Sequence, residues 1–175
     1  MRIIINDANI LIDLVKLDLM DKFIKLEFEL KTTDFVFEEL NEDQKIVIES
    51  YINSEHIELI TTEQEDDFES IITILENSSG LSFTDCSVWH YANKLNSVLL
   101  SGDGKLRKQA TANGILVKGI LYIFDQMLLN GLISFDFAIK KLEQLYQINP
   151  RLPINSKNQR ISCWLLENHF IQEHI

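Results

Sequence analysis

Four acidic residues, far apart in the chain, stand where an α/β fold would gather them. Asp7 follows the run Ile3-Ile4-Ile5, and Asp103 follows Val98-Leu99-Leu100 by two residues. Glu39 comes just after Phe35-Val36-Phe37, and Asp85 falls in the first turn of an expected helix. A short, continuous β-branched run reads as a strand buried on both faces, as in the middle of a parallel sheet. In such a sheet the carboxyl ends of all strands share one edge, where ligands bind. Asp7, Glu39 and Asp103 are therefore expected to be neighbours, with the helix start at Asp85 leaning over them. Four carboxylates in one crevice repel each other and cannot all ionise unaided. A hard divalent cation, Mg²⁺ or Mn²⁺, takes oxygen ligands and relieves that repulsion. An ion so held can promote phosphodiester hydrolysis.

Each acid also has a plainer reading. Asp7 fits a helix N-cap, Asp85 a residue favoured by its helix dipole, Asp103 a turn, and Glu39 a surface position. The acids Glu63, Glu65, Asp66 and Asp67 fit a solvated helix start better than a metal cluster. Cys86 and His90 lie four apart, a zinc-like spacing, but without a second pair they read as packing residues.

The elements that would position the four acids alternate. Strands are expected at residues 3–5, 35–37, 57–60, 97–100 and 115–117. Helices are expected at about 9–16, 19–28, 105–112, 119–129 and 134–146. Three more are expected around Ile46 to Ile52, Phe68 to Leu75 and Thr84 to Leu95, with Thr84 as the N-cap of the last. Alternation of this kind means right-handed crossovers and a three-layer α/β/α sandwich. Pro150 and Pro153 mark a break, so residues 1–150 are expected to form one domain and 151–175 a C-terminal helical extension packed on it.

Composition narrows the class. The chain has 175 residues with 46% hydrophobic and 25% charged, a globular balance. Two cysteines suit a reducing compartment, no leader sequence is evident, and no apolar run approaches the roughly 20 residues needed to span a bilayer. A cytoplasmic protein with no membrane association is expected. The net charge of −11 stands against nucleic-acid binding, which usually draws on a basic surface. The segment Gly104-Lys105 lacks the glycine and hydroxyl of a phosphate-binding loop, and no glycine-rich dinucleotide turn follows the first strand.

Taken in order, Ile4 to Leu14, Phe37-Glu38-Glu39-Leu40, Leu81 to Asp85 running on to Tyr91-Ala92, and Leu99 to Arg107 resemble the four acidic motifs of PIN-domain nucleases. The likeness is nearest to single-domain bacterial proteins of the VapC toxin type and covers about residues 2–132. It implies a parallel sheet of about five strands in the order 3-2-1-4-5. It implies an Mg²⁺- or Mn²⁺-dependent endoribonuclease, with Asp7, Glu39, Asp85 and Asp103 as direct or water-mediated ligands. Asn9 matches a polar position beside the first acid, and Ser101 a hydroxyl supporting the site. Lys105 and Arg107 are candidates for holding a substrate phosphate. Glu39 is preferred to Glu38 because the motif places its acid directly before the apolar residue, here Leu40. An RNA substrate, an antitoxin partner and a homodimer are implied. A catalytically silent interaction module is the alternative. Asn6 departs from the family, which usually has an apolar residue before the first acid.

Overall fold

The computed structural model describes residues 2–172 and is built around a five-stranded, all-parallel sheet of order β3-β2-β1-β4-β5. The central strand β1 (Arg2–Asn6) is the isoleucine run, flanked by β2 (Phe28–Thr33) and β4 (Val98–Leu100). The edges are β3 (Ile57–Ile60) and β5 (Leu116–Lys118). Ile4 and Ile5 are wholly buried, as a strand covered on both faces requires. The order matches the expectation, and the architecture is a three-layer α/β/α sandwich.

Each crossover supplies helices. Between β1 and β2 lie α1 (Ala8–Lys16) and the single turn α2 (Met20–Phe23). Between β2 and β3 lie α3 (Asp34–Glu39) and α4 (Glu42–Asn53). Helices α5 (Glu65–Asn77) and α6 (Phe83–Lys94) precede β4, and α7 (Gly104–Ala112) precedes β5. The chain finishes with α8 (Ile120–Leu129), α9 (Phe135–Ile148) and α10 (Ile154–Gln172). Residues 173–175, included in the expected C-terminal helix, lie outside the described part.

One strand falls elsewhere than expected. Residues 35–37 form the middle of helix α3, and the second strand is Phe28–Thr33, whose first residue stands at the end of an expected helix. The misleading feature is Lys31. In sequence, Glu29 and Lys31 look like surface charges, yet Lys31 is buried. Its ammonium meets Glu29 at 2.8 Å and Glu58 of β3 on the same face of the sheet. An ion cluster therefore covers the polar side of an alternating strand. Thr33 then ends the strand and caps α3, its hydroxyl accepting from the Val36 N–H at 3.3 Å. The aromatic residues Phe35 and Phe37 follow that cap rather than their own β preference, which is weak beside tertiary context.

The C-terminal helix is tied down by one residue. Trp164 is 2% exposed, stacks near Phe124 at 6.0 Å and donates its indole N–H to Asp125 at 3.2 Å. Arg160 adds an ion pair to the same carboxylate. Among the described residues of α10 no other side chain is fully buried, so this ring carries much of the docking they show. Trp164→Ala should cost about 3 kcal/mol in urea unfolding, the low end for a buried aromatic. A loss under about 1 kcal/mol would show that α10 does not depend on this contact.

Candidate metal centre

Asp7 is the residue that ends β1 and starts α1. Its backbone N–H continues the sheet to the Leu100 carbonyl at 3.0 Å, while its side chain caps the helix through the Ala8 N–H at 2.7 Å. The other carboxylate oxygen accepts from the Asn9 amide and from the Ser101 hydroxyl, the latter at 2.6 Å. Asp7 is 3% exposed. Burial pushes its carboxyl up to about 6, and the nearby charge of Asp85 adds to that. The hydrogen bonds from Ser101, Ala8 and Asn9 pull the other way without cancelling it.

Ser101 is the junction of the site. Its wholly buried hydroxyl donates to Asp7 and accepts from the Asp103 N–H at 3.0 Å, so one side chain sets the spacing between the first acid and the fourth. Asn9 makes the second link. Its side-chain carbonyl accepts from the Gly102 N–H at 2.6 Å while its amide reaches Asp7. Any Cβ at position 102 would lie 2.8 Å from that carbonyl oxygen, so the loop approaches α1 this closely only with glycine there.

Asp103 caps α7 and Asp85 is the third-residue partner in the capping box of α6, and this is what orients them. Asp103 accepts from the Lys105 and Leu106 N–H groups, both at 2.8 Å and both on one oxygen. Asp85 forms a capping box with Ser82, again through one oxygen, at 2.7 and 2.9 Å. Ser82, not Thr84, is thus the cap of α6. In both residues the second oxygen carries no hydrogen bond among the described residues. Asp103, expected as a turn residue, is the N-cap of α7, and Asp85, expected only to favour its helix dipole, closes the capping box of α6; neither role conflicts with the metal reading. A cap uses one carboxylate oxygen and leaves the other free.

The remaining expected site residues divide. Arg107 donates to the Ser101 carbonyl at 2.9 Å and packs against Gly119, so it braces the loop. Lys105 is exposed and lies over Gly80. Glu39 is exposed at the end of α3, and the structure places none of the other three acids in contact with it. Its rival Glu38 is occupied by Lys45 at 2.7 Å. The acid that does follow β2 directly is Asp34, which the displaced strand conceals in the sequence. Asp34 accepts from the Phe35 and Thr62 N–H groups and so ties β2 to the loop after β3. Asp67 belongs to the run expected to be solvated, but it is 7% exposed and held by Lys94 at 2.6 and 2.8 Å and by His90 at 2.8 Å. The Lys94 ammonium keeps that carboxyl below its ordinary value. His90 therefore faces an acid, and Cys86 is buried with its thiol pushed up to about 11 chiefly by burial, so this pair serves packing.

The donor set suits a hard cation. Among the described residues, no lysine or arginine forms an ion pair with Asp7, Glu39, Asp85 or Asp103. No three acidic, histidine or cysteine side chains among them stand close enough to hold an ion as they lie. What matches Mg²⁺ or Mn²⁺ is the chemistry of the donors, all carboxylate oxygens, since these ions keep several waters and use one or two carboxylates plus substrate phosphate. The four expected ligands include none of the histidine or cysteine donors on which zinc sites usually draw.

A family model described as a PIN domain (DUF3368) matches residues 3–164. The chain belongs to the PIN-domain family. Among solved structures, the chain is similar to VapBC-1 from nontypeable Haemophilus influenzae, at 18% identity over 68% of this chain and 98% of that one, with a TM-score of 0.49. It is similar to a PilT N-terminus domain protein from Sulfolobus solfataricus P2, at 12% identity over 72% and 93%, with a TM-score of 0.45. It is also similar to VapBC2 from Rickettsia felis, at 10% identity over 67% and 98%, with a TM-score of 0.47. No curated protein matches the chain. Among the described residues no helix is long and apolar enough to cross a membrane.

The state of Asp7 has a measurable consequence. Between pH 3.8 and about 6 the folded protein holds this proton more tightly than the unfolded chain, so stability falls as pH rises through that window. The cost at higher pH is of order 3 kcal/mol in the metal-free protein. Asp7→Asn removes the buried charge and should raise Tm at pH 8 by several degrees, at roughly 2–4 °C per kcal/mol. The same substitution should give no gain at pH 4, where the native carboxyl is neutral. Equal gains at both pH values in thermal melts, or a loss at pH 8, would contradict the burial argument.

Proposed function

We propose that this PIN domain is an endoribonuclease dependent on Mg²⁺ or Mn²⁺, acting as the toxin of a toxin–antitoxin pair. The observation that carries the metal reading is the buried carboxylate of Asp7, destabilised by burial and by Asp85 and given no cation by the described residues. Asp7, Asp85 and Asp103 would hold the ion, with Glu39 acting through water. When bound, the ion supplies charge neutralisation and Lewis-acid polarisation of the scissile phosphate. The chain's own residues do the positioning. Ser101 and Asn9 aim Asp7, the α6 capping box fixes Asp85, and the N-terminal amides of α7 fix Asp103. Arg107 holds the Ser101 carbonyl, and Lys105 is the exposed cation nearest in sequence to Asp103, suited to a substrate phosphate. The antitoxin and a second copy of the chain are the proposed protein partners.

A second reading, a catalytically silent interaction module, draws on the exposed position of Glu39 and the lack of a third close ligand. Metal binding separates the two. A nuclease should gain thermal stability with Mn²⁺ by mass action, and a module should not.

Cleavage of single-stranded RNA tests the residue roles. Asp7→Asn should abolish Mn²⁺-dependent cleavage, and Ser101→Ala should lower it roughly 10–100-fold, the usual effect of losing a group that orients a ligand. Glu39→Gln should lower activity while Glu38→Gln should not. Full activity in Asp7→Asn would end the nuclease assignment.

A further inference from the structure

We propose that the outer face of α5 is the docking surface for a basic, amphipathic segment of a partner protein. Phe68 and Ile72 lie four residues apart on α5, on one side of the helix, and are 44% and 36% exposed. Phe68 is not isolated. Its ring meets Phe83 at 5.2 Å, and Phe83 meets Phe35 edge-on at 4.8 Å. The three rings come from the first turns of α5, α6 and α3, at the carboxyl edge of the sheet. The exposed Phe68 is thus backed by two half-buried rings, one of them, Phe83, in the helix turn that carries Asp85.

The charges around that surface select its occupant. Glu63, Glu65, Asp66, Glu69 and Glu76 are all exposed, and none forms an ion pair among the described residues. Helix α5 contains no lysine or arginine. The dipole at the start of α5 favours Glu65 and Asp66, but it explains neither Glu69 and Glu76 nor the exposed Phe68 and Ile72. An apolar stripe between carboxylates is complementary to apolar side chains flanked by lysines and arginines. A second copy of the chain would bring the same carboxylates against each other. RNA phosphates would meet them too, with no lysine or arginine on the helix to offset the repulsion.

The inference locates the protein partner proposed above and rests on that reading. It does not depend on the metal chemistry, so Asp7→Asn should leave docking unchanged, and failure of either idea shows separately. The probe is a synthetic helical peptide with leucines on one face and lysines and arginines beside them, titrated into the isotope-labelled full chain by NMR. Shifts should centre on Phe68, Ile72, Glu65 and Glu69. Phe68→Ser and the double change Glu65→Lys with Glu69→Lys should each raise Kd at least tenfold. The double change Glu49→Lys with Glu143→Lys, exposed on α4 and α9, alters net charge equally and should stay within twofold. Circular dichroism establishes that each variant is folded, and the α5 charge variants carry the test should Phe68→Ser unfold.

Equal loss in the control variant, or shifts centred elsewhere, would overturn the proposal. Perturbation of the same residues by oligouridylate would give the face to RNA and overturn it. Conversion of a dimer to a monomer by Phe68→Ser in light scattering would give the face to a second copy and overturn it as well.

Discussion

A negative charge buried at the end of the central strand, with another acid beside it and no cation paired to it among the described residues, is the constraint on which the site turns. Asp7 sits where β1 stops and α1 starts, so the backbone fixes its place. The groups that hydrogen-bond to its carboxylate are all donors without charge: one amide N–H, one side-chain amide and one hydroxyl. Those donors hold the carboxylate in place without offsetting its desolvation, and the carboxyl stays well above its ordinary value. A structural ion pair would have settled the same charge. The chain does so at Asp67 with Lys94, and at Lys31 with Glu29 and Glu58. The contrast between these neutralised groups and Asp7 is what supports the proposal of an external cation at this site.

Three of the acids sit at helix starts. Asp7, Asp85 and Asp103 each satisfy N–H groups at the start of α1, α6 or α7. Helix N-termini carry partial positive charge, so the fold itself stabilises acids at this edge before any ion arrives. It also limits how far each carboxylate can turn. The Ser101 hydroxyl and the Asn9 amide then couple the β1 end to the β4 end, and glycine at 102 lets the two loops approach.

Much of this is legible in the sequence, for identifiable reasons. The isoleucine run marks the central strand because nothing polar interrupts it, and Asp7, Asn9, Ser101 and Asp103 are placed by strand ends at either side. The strand expected at residues 35–37 shows the limit. Phe28 to Thr33 alternates correctly, but Lys31 looks like a surface residue until Glu58 from another strand is known to meet it. That long-range pairing leaves no local trace. The displacement carries Asp34 out of view and gives Glu39 a strand end that it does not have. Asp67 is hidden in the same way. In a run of four acids, only the approach of α6, with His90 and Lys94, singles out the buried one.

The central claim is that Asp7 is an uncompensated buried carboxylate which an external divalent ion neutralises. Carbon-13 NMR of the aspartate carboxyl groups, titrated against pH with and without Mg²⁺, measures this most directly. The account predicts an Asp7 titration near 6 without metal that falls below the ordinary aspartate value when Mg²⁺ is added. An Asp7 that titrates at its ordinary value without metal, or whose titration Mg²⁺ leaves unmoved, would contradict it.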